Sequence, residues 1–349
     1  MAVINLHESY SKKLAERFVV DSFLKGNTSN DYSFDGVKSI NISTIKAIPV
    51  TTYTRNGLQR FGQITEVEDT VQTLTMTQEP SWTASIDIGN ASDQQYEKKA
   101  GKVMKSQSDE VTTPMSDKYA LQQFAQNAGQ IVELANAPAK TTIVEMLFNA
   151  ATALDNAYVP TAGRVLYIKS SDYNKVRLSP EFIGVDNLAE KILTKGTVGQ
   201  IADMKVVKLP DNYMPKNVHF MITHKKSVIM PFKLKTARIH DTVVGVDGRV
   251  LEWHSYYDAF VIGAKANGVY VAAEAGTVTA VPTVEIADTT ATITGTGTVY
   301  YTTDGSDPRY SRSAKVYSAP VEIEAGATVS AYAVETDKFK SAVVSEVSK

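Results

Sequence analysis

The chain has 349 residues, 43% hydrophobic and 21% charged, which excludes wholesale disorder and exceeds the ~100 to 150 residues of a common domain, so two folded units are expected. Thirty-six Lys and Arg against 38 Asp and Glu leave a net charge of −2, so no summed positive field exists to drive specific nucleic-acid binding by counterion release. Absence of cysteine excludes disulfide frameworks, thiolate zinc sites and thiol nucleophiles together, and absence of any run of about 18 apolar residues argues for cytoplasmic synthesis without membrane insertion.

Leu14, Phe18, Val19 and Phe23 form a short amphipathic stretch, and the polar segment from Lys25 to Ser33 that follows reads as an arm. Ser39 to Tyr53, rich in Ile, Val and Thr, reads as extended strand. Val71 to Met76 and Trp82 to Ile88 both alternate, and the Glu79, Pro80, Ser81 punctuation between them predicts a hairpin. After Gly89 the period changes. Tyr96, Ala100, Val103, Met104 and Val111 predict an amphipathic helix, Thr113 followed by Pro114 reads as an N-cap and first-turn proline, and Gly129 reads as a stop. A kink or second helix to about Ala128 follows, and Ile143, Met146, Leu147, Ala150, Ala151 and Leu154 mark another helix.

From Arg164 the pattern is α+β, with strands at Arg164 to Ile168 and Val218 to Ile222 and a short helix at Asn187 to Lys195. Arg249 to Ala272 is nearly unbroken strand, divided by a turn at Ala266, Asn267 and Gly268. Beyond Gly276 no helical period survives. Short alternating runs of Thr, Val, Ala, Ser and Tyr predict a small β-sandwich of about seven strands.

Chemistry-bearing spacing is scarce. No phosphate-binding or Rossmann glycine pattern, zinc-helix histidine pair or serine elbow is present, so no catalytic, cofactor-binding or metal residues are assigned and no enzyme is expected. His219 and His224 are the closest histidines, but their separation crosses a predicted strand end and reads as packing or surface. In TTDGSDP, Asp304, Ser306 and Asp307 suit either a capped turn or a calcium ion, the turn being the simpler reading. Tyr300, Tyr301, Tyr310, Tyr317 and Tyr332 suit either a sandwich core or a sugar-stacking platform. Lys98, Lys99, Lys102 and Lys105, beside Asp109 and Glu110, read as a solvated helix face or a contact with a neighbouring subunit.

The order of these parts, with RFGQITEVEDTVQTLTMTQEPSWTASIDIGNASDQ, DEVTTPMSDKYALQQFA, VPTAGRVLYI and GVDGRVLEWHSYYDAFVIGAKANGVYV, resembles the major capsid protein of tailed bacteriophages, with the Hong Kong 97-type fold, in the Gram-positive phage and prophage group. The resemblance covers about residues 1–275. It implies an arm at about 1–36, an extended loop at about 54–95, a spine helix at about 95–128, an axial domain at about 140–230 and closing strands at about 245–275. It also implies pentamers and hexamers of a shell enclosing double-stranded DNA, held nonspecifically, with a portal protein as a further partner. Because the arm is short, a separate scaffolding protein is expected instead of a large cleaved region. No Lys–Asn crosslinking triad is assigned. Arg60, Trp82, Asp87, Lys98, Lys99, Asp117 and Tyr119 are the candidate self-assembly residues.

After a linker at 276–282, VYYTTDGSDPRYSRSAKVYSAPVEIEAGATVSAYAVETDKFKSAVVS is similar to the immunoglobulin-like module at the C-termini of chitobiases and β-hexosaminidases, where it is an accessory. The resemblance implies a sandwich at 283–349 on the outside of the shell. Repetition there would turn weak sugar affinity into adhesion to host-surface glycans, with Tyr301, Asp304, Asp307 and Tyr310 as candidate contacts. The expected location is the virion, after synthesis in the host bacterial cytoplasm. The alternatives are a phage tail-tube protein carrying such a module, disfavoured by the two helical stripes, and a glycan-binding accessory protein.

Overall fold

The computed structural model describes residues 21–348 apart from 35–36, 46–47, 49, 63, 65, 89–98, 181–198 and 242, and its architecture is mixed α+β. Strands β1 (Ser39–Ile45) and β2 (Asp69–Thr75) pair antiparallel from Ser39↔Thr75 to Ile45↔Asp69 and bracket the long loop 46–68. Strand β3 (Ser81–Asp87) leaves this sheet. Helix α1 (Ala100–Gln107), a π turn at Ser108–Thr112 and α2 (Thr113–Gln126) follow one another without a break, a rod about 40 Å long at 1.5 Å per residue. Next come β4 (Gln130–Glu133), α3 (Ile143–Asn156), β5 (Arg164–Lys169), α4 (Ser170–Arg177), β6 (Gln200–Ile201), β7 (Met204–Leu209) and β8 (Val218–His224). Strands β9 (Val228–Ile229), β10 (Phe232–His240), β11 (Gly248–Tyr257), β12 (Phe260–Val261) and β13 (Val269–Ala273) complete the larger part.

Six strands form the central sheet in the order β4-β13-β8-β5-β7-β6, with β13/β4 and β5/β7 parallel. Apolar side chains cover both of its faces. Tyr167, Met221 and Val271 point into a cluster with Leu121 and Phe124 of α2, whereas Leu166, Ile168, Phe220, Ile222 and Tyr270 meet Ile143, Leu147 and Leu154 of α3 on the other side. Two buried faces explain why RVLYI and VHFMI read as unbroken apolar runs. Each fully buried Leu, Ile or Phe in such a layer contributes roughly 1.5–3 kcal/mol.

The structure corrects several sequence expectations. The hairpin expected between β2 and β3 does not form, because β2 pairs with β1 while β3 pairs with β11, Trp82 facing Trp253. The segment between them crosses from one sheet to the other along the end of β11, where Tyr257 N donates to Gln78 O and Ser255 N to Pro80 O, both at 3.0 Å. Pro80 lacks an N–H and takes part through its carbonyl alone. The strand expected to reach Tyr53 stops at Ile45, leaving Val50 and Tyr53 in the exposed loop.

Thr113 is no N-cap: Thr112 and Thr113 both have right-handed helical angles, and the π turn carries the helix past Pro114. The segment read as an arm is anchored from residue 22 onward. Leu24 and Phe34 are each 3% exposed, Asn27 Nδ2 donates to Phe23 O, and Lys205 Nζ donates to Asn27 Oδ1 at 2.9 Å. Leu14, Phe18, Val19 and the Asn187 to Lys195 helix lie outside the described residues.

The C-terminal part contains β14 (Thr283–Ala287), β15 (Thr290–Thr294), β16 (Thr298–Thr302), β17 (Lys315–Val316), β18 (Val321–Glu322), β19 (Thr328–Val334) and β20 (Val344–Val347). They form two sheets, β14-β15-β18 and β17-β16-β19-β20, which share a core of Val284, Ala291, Ile293, Val299, Val329, Ala331 and Ala333. Residues 276–282 are not a free tether: Thr279 is 2% exposed and bonds Phe339 O through both its N–H and its hydroxyl.

Candidate functional site

Three features stand out from the fold. The first is the loop 46–68, carried at the open end of β1 and β2. Val50 is 99% exposed, Leu58 96%, Ile64 89% and Phe61 88%, so these apolar side chains find no cover among the described residues. Such a patch marks an interaction surface. The loop keeps its own shape, since Thr54 N donates to Arg60 O at 3.0 Å, Thr51 Oγ1 to Phe61 O at 3.1 Å, and the Tyr53 and Phe61 rings meet edge-on at 5.0 Å. Candidate residue Arg60 is exposed here and donates from Nε to Gly57 O.

The second feature is a buried carboxylate hub. Asp258, 3% exposed, accepts Thr77 N (2.7 Å) and Thr77 Oγ1 (3.0 Å) on one oxygen, and Tyr119 OH (2.7 Å) and Ala259 N (2.8 Å) on the other. It ties the crossover after β2, helix α2 and the β11–β12 corner into one knot. Burial and the bond to Asp258 push the Tyr119 phenol up to about 12. Asp117, on the same helix, has a similar role toward the N-terminal segment. It is 2% exposed, and its two oxygens accept Ser22 Oγ and Phe23 N, each at 2.8 Å; burial raises its pKa against the pull of those bonds.

Asp117 and Tyr119, expected among the assembly residues, therefore spend their polar atoms within the chain. Trp82 is half-buried opposite Trp253, with its Nε1 buried and unpaired. Asp87 and Lys99 are exposed, at the end of β3 and just before α1. Lys98 lies outside the described residues.

The third feature is the seam where the C-terminal module meets the end of α2. Arg309, with its side chain 8% exposed, is held by both oxygens of Asp307 and donates from Nη1 to Gly129 O at 2.9 Å. Tyr310 OH donates to Asn127 O and Lys340 Nζ to Asn127 Oδ1, each at 2.8 Å. Cations and donors at a helix C-terminus satisfy carbonyls left over by the helix and oppose its dipole. Burial, aided by nearby Arg309, pushes Lys340 down to about 8.

The residues expected as glycan contacts have partners within the chain. Tyr301 is 9% exposed within the module core and Tyr310 is committed to the seam. Asp304 closes a turn, accepting Ser306 N at 2.9 Å and Ser313 Oγ at 2.8 Å, and Asp307 is held by Arg309. Among the described residues no group of three or more His, Asp or Glu is placed to hold a metal, and no helix is long and apolar enough to cross a membrane.

Asp258, Gln72, Asn127, Arg309 and Lys340 were missed from sequence. An Asp inside the apolar run YYDAFVI was the one signal available for Asp258, because an ionisable residue in such a run is buried only with partners.

The family model described as "Fn3 associated" matches residues 289–347. No curated protein matches the chain. Among solved structures, "Mycobacterium phage Che8" is 18% identical, with a TM-score of 0.65 over 76% of this chain and 96% of that one. "Capsid structure of the Cyanophage P-SCSP1u" is 12% identical, with a TM-score of 0.66 over 77% and 93%. "Asymmetric unit of bacteriophage PhiM1 mature capsid" is 10% identical, with a TM-score of 0.63 over 78% and 93%. The larger part of this chain thus has a fold similar to that of phage capsid structures.

Proposed function

We propose that the chain is a shell-forming major capsid protein of a tailed bacteriophage, built on the Hong Kong 97-type fold and extended by an immunoglobulin-like sandwich. The observation that carries the reading is the likeness to two capsid structures over 93% of their length. It is supported by the loop 46–68, whose uncovered apolar side chains need a partner. In this reading pentamers and hexamers form when that loop lies on a neighbouring copy, each contact burying on the order of 1,000 Å².

The shell encloses double-stranded DNA held nonspecifically, with a portal and a separate scaffolding protein as partners, and the protein's role is structural. The sandwich faces outward. With Tyr301 and Tyr310 turned inward, neither ring is offered to a sugar, and the module is read as part of the shell's architecture.

Electron microscopy of the purified full chain, alone and with a candidate scaffolding protein, tests this. Closed shells or curved sheets of hexameric units are expected; stacked-ring tubes, or a monomer under both conditions, would overturn it. A tag after Lys349 that antibodies reach on intact particles supports the outward placement, and one protected until particles open refutes it.

A further inference from the structure

The loop 304–313 of the C-terminal module meets three other segments at one place. Arg309 and Tyr310 reach the chain just past α2, at Gly129 O and Asn127 O. Arg312 N donates to Val71 O, on the edge of β2 not taken by β1, at 3.0 Å. Tyr310 also lies against Gly263, where an added Cβ would fall 2.7 Å from the tyrosine Cβ. Gln72 of β2 closes the circle: its Nε2 donates to Val261 O at 3.0 Å and its Oε1 accepts Gly263 N at 2.7 Å.

A two-stranded sheet is marginal by itself. β1 and β2 are supported at the root by Ile42, Leu74 and Met76 packed against Ile229 and Ile262. Farther out, toward the exposed loop, the module supplies the lateral bond to Val71. The seam is also packed: Phe339 of the module is 5% exposed within the cluster that contains Leu121 and Phe124.

We propose that the 304–313 loop is a positioning wedge that fixes the β1–β2 arm, and so the apolar loop at its tip, relative to the C-terminal end of α2. An appended module of this kind works inside its own subunit: it sets where the contact loop points. What the arm contacts rests on the capsid reading; the wedge itself does not.

Hydrogen exchange on the full-length, unassembled protein tests it, with Arg309→Ala and Gly263→Ala as variants. Gly263→Ala alters no module residue; its added Cβ would fall 2.7 Å from Tyr310 Cβ and 3.2 Å from Gln72 Oε1, so Gln72→Ala, which leaves Tyr310 in place, serves as the control for the direct contact with β2. Amides of 69–75 are expected to exchange about tenfold faster in both variants, with those of 164–169 and 218–224 unchanged. If Arg309→Ala also speeds exchange at 328–334, the module itself has loosened and Gly263→Ala alone decides. Unchanged exchange at 69–75 in Gly263→Ala, with the module's strands still protected, overturns the wedge. Failure of the unaltered chain to form shells would sink the capsid reading and leave the exchange result standing.

Discussion

Replacing Asp258 tests whether one carboxylate holds the chain's crossing between sheets. Its oxygens accept four donors, of which Ala259 N is local, while Thr77 N, Thr77 Oγ1 and Tyr119 OH come from other elements. A hydrogen bond to a charged group contributes about 1.5–3 kcal/mol, and a donor left buried without an acceptor costs about 1–3 kcal/mol. The effects overlap, because Thr77 supplies two of the donors, so Asp258→Ala is expected to cost about 4 kcal/mol. Asp258→Asn keeps the shape but turns an NH2 group toward donors, and about 2–3 kcal/mol is expected.

Urea unfolding of the unassembled protein gives these values, and Tyr119→Phe completes a cycle in which the double variant costs less than the sum of the singles. Asp258→Ala should also lower the Tyr119 phenol from about 12, a shift that ultraviolet titration follows. A loss under about 1 kcal/mol with an unchanged denaturant slope would refute the hub, because the crossover would then be held by backbone bonding and packing alone.

Asp117→Ala should free the segment from Ser22 while leaving the central sheet intact. Trypsin cleavage at exposed Lys25 should accelerate, and an unchanged rate would mean that Leu24 burial suffices. Lys340 gives a pH dependence: its folded pKa, about 8, lies below the ordinary 10.5, so between those values the unfolded chain binds a proton that the folded chain lacks. Stability therefore rises with pH, by up to about 1.4 kcal/mol per unit. Measured from pH 8 to 9.5, below the range where the raised tyrosines act in the opposite sense, this slope should vanish in Lys340→Met. In the loop, Leu58→Ser with Phe61→Ser should leave unfolding of the unassembled protein within about 0.5 kcal/mol yet prevent shells from forming; normal shells would remove the loop from the assembly surface.

The sequence carried some elements plainly and others not at all. The stripe Ile143, Leu147, Leu154 and the runs RVLYI and VHFMI were legible because packing on both faces of one sheet imposes a pattern on neighbouring residues. Alternation in VQTLTM and WTASIDI identified strands but not their partners, which were set by Ser39–Ile45 before them and by Trp253 far along the chain. Thr113 and Pro114 carried a genuine local cap signal, overridden by a π turn. Arg309 and Tyr310 sit in a sequence that looks like an exposed turn, since their acceptors, Gly129 and Asn127, lie about 180 residues away.

The π turn has a consequence for the rod itself. An extra residue in one helical turn advances the azimuth of the preceding residues by about 100° relative to the residues beyond it. α1 can thereby lay its face on β11, while α2 keeps Leu121 and Phe124 against the central sheet. One continuous rod thus serves two layers that no straight helix with a single apolar stripe would address. Deleting one residue from 108–112 would restore regular winding and swing the first half away from β11, turning a single-residue change into a rotation of a whole layer.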